Sequence, residues 1–389
     1  MKAIMGVVLV ALCVWGSTLR AEEGVSDQEI LLGQSCALSG PAQALGTGMQ
    51  AGLRACFAKV NAAGGIHGRT IRLVSKDDGY EPDRAIQNTL QLVNDEKVFL
   101  IIGAVGTPTA KAAVPFIEDR QVPFFGPFTG AEFLRTPYRK YVVNVRGSYY
   151  QEMEQLATYL VEEKGLTKIA CFYQNDAYGL AGLRGMQEAL EKRGVAIAAL
   201  GSYKRNSTAV RSALMSIRRA RPEAVVMVGA YQPCAEFIKL AKKLDMAHVT
   251  YCNISFVGTE ALRQALGSAG EGCIISQVVR CPWDQSIPLV EEYTEALKSY
   301  QPEAQPGFVS LEGYMVGKLF CDVARTAGET LTREGFLDTI ANTETFDLGG
   351  VTLTFGDEDH QGMDEVFLSM ISNGMVKPVT FGQTVAACK

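Results

Sequence analysis

Histidine is scarce in this sequence: three residues in 389, at His67, His248 and His360. A metal centre built on imidazoles, or a histidine-based acid–base set, therefore has little to draw on. No Cys-x-x-Cys pair occurs, which removes the signature of zinc ribbons and of thioredoxin-type redox chemistry. The chain also lacks a Gly-x-Gly-x-x-Gly turn, a Walker A loop, a His-Glu-x-x-His helix and a Gly-x-Ser-x-Gly elbow. Excess positive charge is missing too, with 37 Lys and Arg against 42 Asp and Glu and a net charge of −5. A nucleic-acid groove needs clustered cations, so no nucleic-acid partner is expected. No catalytic set, metal or other cofactor emerges, and the chain reads as a binder rather than an enzyme. What is present is a folding composition: 47% hydrophobic and 20% charged residues, in a length that suggests two or three domains.

Residues 1–21 read as a secretory signal peptide. Lys2 supplies the positive start, Ile4 to Trp15 the apolar stretch, and Leu19-Arg20-Ala21 a cleavage site ending in a small residue. The apolar stretch falls short of the roughly 20 residues that span a bilayer. Bulky Leu12 directly before Cys13 argues against lipidation there. Most of the ten cysteines sit in apolar runs and read as small core residues. Cys252, Cys273 and Cys281 are close enough in sequence for a disulfide, but the spacing does not settle a pairing.

From Ile30 onward, short apolar strands alternate with amphipathic helices. Strands are expected at Ile30–Gly33, Ile71–Val74, Val98–Ile102 and Val122–Phe125, with helices at Gly48–Val60, Pro82–Asn94 and Thr107–Asp119 between them. The pattern restarts at Tyr149 and runs through strands at Lys168–Tyr173, Val195–Gly201, Ala224–Val228, Val249–Cys252 and Cys273–Ser276. A helix from Ala235 to Leu244 falls among these strands. Three helices follow Pro282, and three terminal strands have no assigned sheet. Such alternation means right-handed βαβ units around parallel sheets. Two series of them mean two doubly wound lobes with a cleft at the carboxyl ends of their strands. Asp77-Asp78 reads as a strand end capping a turn rather than as a catalytic pair. Gly179, Gly182 and Gly185 read as packing glycines.

Several motifs, in order and spacing, resemble the type I periplasmic binding proteins, in particular the leucine/isoleucine/valine-binding proteins of ABC importers. They are Leu38-Ser39-Gly40-Pro41, Asn61-Ala62-Ala63-Gly64-Gly65-Ile66-His67-Gly68, Gly103 to Thr109, Pro127 to Glu132, Asn175 to Gly179 and Gly229 to Pro233. The resemblance covers essentially the whole mature chain. It implies an α/β fold of two Rossmann-like lobes joined by three hinge crossings. The lobes are expected at 22–146 plus 280–348 and at 147–279 plus 349–389. The implied role is a monomeric periplasmic receptor that closes on a small-molecule ligand and docks on an inner-membrane permease. A periplasmic sensor of the same fold, signalling to a regulatory partner, is the alternative.

The expected ligand contacts are Leu45, Thr107, Phe128, Thr129, Tyr178, Tyr231 and Ser255. Thr107 followed by Pro108 reads as an N-cap and first helical residue, so the start of that helix offers N–H groups and a positive dipole end to a ligand carboxylate. By resemblance, Thr107 and Thr129 hold that carboxylate and Phe128 presents its backbone beside them. Leu45 covers the ligand, and Tyr178 and Tyr231 close over it. Phe256 and Trp283 are secondary candidates. Ser255 marks a departure, because amino-acid binders carry an acid there to meet the α-ammonium. Burying an ammonium without a counter-charge costs several kcal/mol. Either another acid substitutes, or the ligand lacks an ammonium. The cysteine pair often seen in the first lobe is also absent, with Tyr80 and Gly106 near those places.

Overall fold

The computed structural model describes residues 22–379. The signal-peptide reading, with Cys13, and the last ten residues lie outside that range. No described helix is long and apolar enough to cross a membrane.

The first half builds a five-stranded parallel sheet from β1 (Glu29–Cys36), β2 (Thr70–Asp77), β3 (Leu100–Ile102), β4 (Phe124–Phe125) and β5 (Val142–Val143), in the order β2-β1-β3-β4-β5. Leu100 to Ile102 are all buried, as expected of a strand with helices on both faces. Helices α1 (Gln43–Ala62), α2 (Pro82–Leu90) and α3 (Thr107–Asp119) connect these strands. The two-residue β5 has too short an apolar pattern to be read from the sequence.

The second half begins with α4 (Tyr149–Ala157), capped by Ser148 in a reciprocal box with Gln151. Strands β6 (Ile169–Gln174), β7 (Ala199–Tyr203), β8 (Ala224–Val228), β9 (Thr250–Asn253) and β10 (Ile274–Gln277) alternate with α5 (Ala177–Glu191), α6 (Arg211–Arg219), α7 (Tyr231–Lys243) and α8 (Thr259–Leu266). Helix α7 starts four residues earlier than the sequence suggests. Pro233 falls in its first turn, where a missing N–H breaks no intrahelical bond.

The chain then returns to the first half. Helix α9 (Pro288–Tyr300) leads into α10 (Phe308–Ala327), which lies against α1 at glycine contact points, and α11 (Arg333–Thr343) follows. A Cβ on Gly52 would sit 2.0 Å from the Ser310 carbonyl oxygen, and one on Gly313 would sit 2.3 Å from that of Met49. Only glycine at both places permits this approach. The terminal strands divide between two places. The pair β11 (Thr345–Asp347) and β12 (Thr352–Thr354) forms its own antiparallel ribbon. The pair β13 (Phe367–Ser372) and β14 (Met375–Val379) extends the second sheet antiparallel at β10, giving β14-β13-β10-β9-β8-β6-β7.

The chain thus passes between the halves three times: after Val143, after Gln277, and between α11 and Phe367. One hydrophobic core is continuous through both halves, and two smaller ones back the sheets on their outer faces. Cys252 and Cys273 are free, buried thiols, whereas Cys281 is disulfide-bonded, so a bridge within that trio is ruled out. Cys36, Cys56, Cys171, Cys234 and Cys321 are likewise buried and free. Gly179, Gly182 and Gly185 are packing glycines: Cβ atoms there would meet Gln174, Val228 and Tyr150 at 1.8, 2.6 and 2.9 Å.

Candidate ligand site between the two sheets

The carboxyl ends of the two sheets face each other across a buried cluster of aromatic rings. Tyr80 and Phe128 come from loops of the first sheet, and Tyr149, Tyr178 and Phe256 from the second half. All five are at most 1% exposed. Phe256 is the hub, with ring centroids 5.9 Å from Tyr80, 5.4 Å from Phe128 and 4.5 Å from Tyr178. Tyr149 and Tyr178 lie 5.5 Å apart. Offset and tilted ring pairs of this kind add to the burial of their area.

Asp77 and Asp78 position Tyr80. The Asp77 carboxylate accepts from the Leu38, Ser39 and Gly79 backbone N–H groups and from the Ser39 hydroxyl, fixing the Ser-Gly-Pro loop to the end of β2. Burial alone would raise its pKa, but these bonds and Arg84 overcome that and hold it at about 2. Asp78 is deeper. Burial pushes it up to about 6, against its bonds from the Ser35 hydroxyl and the Tyr80 N–H. That last bond supports Tyr80 at φ 62, a conformation few non-glycine residues adopt. The Tyr80 ring then covers Gly106, 2.3 Å from where a Cβ there would be. The two positions that lack the family cysteines are therefore neighbours in space.

Gly106, not Thr107, is the N-cap of α3. Its φ of 109 turns the chain into the helix, and Thr107 and Pro108 are the first two helical residues. Thr107 is thereby released from capping, and its side chain faces the cleft region. Its hydroxyl lies 2.6 Å from that of Thr129 and 3.4 Å from that of Tyr149, and Thr129 also donates to Tyr149 at 3.2 Å. These three buried hydroxyls at the head of α3 bond one another.

The other expected residues divide. Leu45, fully buried on α1, reaches across to the second half, with Cδ2 2.6 Å from a Cβ position on Gly258. Tyr178 joins the aromatic cluster and its hydroxyl points to the Gly229 carbonyl at 3.5 Å. Phe128 contributes its ring and not its backbone, because its N–H donates to the Ala104 carbonyl and its carbonyl accepts from the Gly106 N–H in a β-bridge. Tyr231 stands apart, half-buried against the outer core of the second sheet. Tyr203 is linked to the first half through Gln174. Its hydroxyl donates to Gln174 at 2.9 Å, and the Gln174 amide donates to the Tyr80 hydroxyl at 3.3 Å. Trp283 lies outside the cluster, 42% exposed and edge-on to Phe308.

Ser255 sits in a charged group. Its N–H and hydroxyl donate to Glu152 at 2.7 and 2.9 Å, Ser276 donates to the same carboxylate at 2.5 Å, and Arg146 bonds both Glu152 and the Ser255 hydroxyl. Glu312 on α10 lies 3.6 Å from the other terminal nitrogen of Arg146. The guanidinium rests 4.8 Å over the Phe128 ring. Burial pushes the Glu312 carboxyl up to about 7, against the pull of Arg146. These charged residues were not anticipated. The available signal was an acid on the apolar face of a helix: Glu152 falls between Tyr149 and Met153, and Glu312 between Leu311 and Tyr314, all buried.

At the rim, Arg205 bridges Asp176 at 2.9 Å and Glu81 at 2.7 Å, and Asn206 bonds Glu81 and the Gly79 carbonyl. On another edge Glu260 accepts from the Phe308 N–H at 3.3 Å. Beside it an open groove of about 440 Å³ passes Gly48, Gly258 and Val309. That groove lies on the outer seam and not among the aromatic rings.

The sequence pattern of the periplasmic binding proteins matches residues 29–375. A solved structure of a possible leucine/isoleucine/valine-binding protein from Rhodopirellula baltica is similar at 35% identity and a TM-score of 0.86, over 91% of this chain and 97% of that one. The leucine-specific-binding protein of Salmonella typhimurium is 23% identical over 79% of this chain and 82% of its own length. A fatty acid ABC transporter substrate-binding protein from Thermomonospora curvata shares the fold at 22% identity, with a TM-score of 0.83 over 92% and 93% of the two chains. With two sheets facing across three passages and a match over nearly all of its described length, the chain belongs to the periplasmic binding protein family.

Proposed function

We propose that this protein is the periplasmic receptor of an ABC importer, a monomer that captures a small carboxylate-bearing solute by hinge closure and presents the closed form to a membrane permease. The lobes are taken as residues 22–146 with 280–348 and 147–279 with 349–389, and the leader as the export signal. Binding of the solute favours a closed arrangement that hinge motion already reaches. The observation that carries this reading is the trio of buried hydroxyls of Thr107, Thr129 and Tyr149 at the head of α3, walled by rings from both halves. A helix start with hydroxyl donors suits an anion, and the rings suit an apolar or aromatic body. Branched-chain amino acids and related carboxylates are the candidate class, from the names of the similar proteins.

The test is a thermal-shift screen of amino acids, amides and aromatic and aliphatic carboxylates on the mature chain, followed by small-angle scattering with and without each hit. A carboxylate that raises the melting temperature by several degrees and reduces the radius of gyration supports the proposal. Hits confined to compounds that carry no carboxylate would refute it.

A further inference from the structure

Arg146 is only 1% exposed, yet its Nε and Nη1 atoms have no hydrogen-bond acceptor. A guanidinium carries five N–H donors in one plane and never deprotonates in a protein. Here Nη2 alone is engaged, with Glu152 at 3.3 Å and with the Ser255 hydroxyl. Glu312 faces Nη1 at 3.6 Å, too far for a hydrogen bond. Buried donors left without acceptors are expensive and uncommon in native structures.

The acids beside Arg146 are in the opposite condition. The Glu152 oxygens accept four hydrogen bonds, from Arg146, the Ser255 hydroxyl, the Ser255 N–H and the Ser276 hydroxyl. An ionised carboxylate has about four such positions, so none remains for a ligand ammonium. Glu312 is the second counter-charge of Arg146, and burial drives it towards its neutral form. The unmet capacity at Arg146 is thus for an acceptor. Ser255, in the place of the acid that would hold an ammonium, contributes its hydroxyl to this same group.

We propose that Arg146 is a specificity-determining ligand contact, one of whose unpartnered donor groups, Nη1 or Nε, receives an uncharged oxygen of the ligand, so that the site takes 2-oxo acids with an apolar or aromatic side chain in preference to the matching α-amino acids. This rests on the reading of the protein as a carboxylate receptor. The ligand carboxylate goes to the hydroxyls of Thr107, Thr129 and Tyr149, and the 2-oxo oxygen, where an amino acid carries its ammonium, goes to Arg146. The carbonyl is favoured over a second carboxylate because Glu152 already pairs with Arg146, and the donors of neighbouring Arg135 are taken up by Gln361 and by the Ala131 and Arg146 carbonyls. The guanidinium lies on Phe128, which stacks in turn with Phe256, so the oxygen subsite borders the aromatic wall.

The test uses two pairs of probes that differ only at the α-carbon: 4-methyl-2-oxopentanoate against leucine, and phenylpyruvate against phenylalanine. Isothermal titration of the mature chain is expected to show at least tenfold tighter binding of the oxo acid in one pair or both, and Arg146→Met is expected to abolish that preference. Arg146→Lys, which keeps the charge but not the fork, is the control should the methionine variant fail to fold, and it is expected to lose most of the preference. An amino acid binding as tightly as its oxo acid would overturn the inference while leaving a carboxylate receptor standing. A preference that survives in a folded Arg146 variant would also overturn it. Binding by neither member of either pair, with other carboxylates equally inert in the screen, would bring down both readings.

Discussion

Arg146 and Arg205 each sit between two carboxylates, one from each half of the molecule. Arg146, at the first passage between sheets, joins Glu152 at the start of the second half to Glu312 on the returning helix α10. Arg205, after β7, joins Asp176 of the second half to Glu81 of the first. The pairing diagrams match, but the surroundings do not. The side chains of the Arg146 group are at most 4% exposed, while Arg205 and Glu81 are 21% and 43% exposed. Coulomb attraction rises as water is excluded, and so does the cost of removing one partner. The same arrangement is therefore costly to disturb in one place and a weak latch in the other.

The sharpest way to break this contrast is Glu152→Ala. It strips Arg146 and two serines of their shared acceptor in a dry site, so a loss of about 3–5 kcal/mol in urea denaturation is expected. A loss under about 1 kcal/mol would mean that water reaches the group and that burial does not separate the two arginines.

Glu260, the carboxylate that accepts from Phe308 across another edge, gives an intermediate case. Burial pushes it up to about 7, opposed by hydrogen bonds from its own backbone and Phe308 and by Arg263. A carboxyl raised in the folded state binds its proton more tightly there than in the unfolded chain. The folded state thus carries no penalty below the unfolded value near 4.5, a penalty that grows between about pH 4.5 and 7, and a constant one above. Glu260→Gln keeps the acceptor for Phe308 and removes the charge. It is expected to match the parent near pH 4.5 and to exceed it by on the order of 2–3 kcal/mol above pH 7. A difference between the two proteins that does not change with pH would show that Glu260 is solvated.

Thr107→Ala addresses recognition rather than stability. It deletes one of three hydroxyls without disturbing the cap, which Gly106 provides. The expected result is roughly tenfold weaker binding of the best carboxylate from the screen, about 1.4 kcal/mol, with a smaller change in unfolding free energy. Equal affinity in calorimetry would remove Thr107 from the site.

The sequence was legible where the local pattern and the fold agree. The span of α3, from Thr107 to Asp119, and that of β8 follow directly from periodicity. So do the restart at Tyr149 and the return after Pro282. Misplaced features are those decided by contacts distant in sequence. Thr107 followed by Pro108 satisfies the local rule for a helix start, but the left-handed turn at Gly106 takes the capping position. Phe128 was assigned a backbone role that a β-bridge to Val105 had already taken. Tyr203 belongs to no sequence motif, and only the assembled sheet shows that it bonds Gln174, whose amide in turn bonds Tyr80. In the sequence Arg146 marks only the expected end of the first lobe's opening segment. Its importance comes from Glu152 and Ser255, which local spacing does not bring together.

The smallest effect is expected at the rim. Arg205→Ala removes two ion pairs, and with them the cross-half bridge to Glu81. Burial would raise the Glu81 carboxyl, but bonds from Arg205 and Asn206 outweigh that and hold it below its ordinary value. Exposed pairs are screened and contribute about 1 kcal/mol or less, so the unfolding free energy should fall by no more than that. Asn206 also remains bonded to both Glu81 and Gly79. What should change is the ease of opening: faster ligand release, with a salt dependence weaker than in the parent because the screened pair is gone. Stopped-flow release rates at about 0.05 and 0.5 M salt read this directly. A loss as large as that at Glu152, or a release rate with the parent's salt response, would show that the rim and hinge arginines carry comparable weight and that exposure is not what distinguishes them.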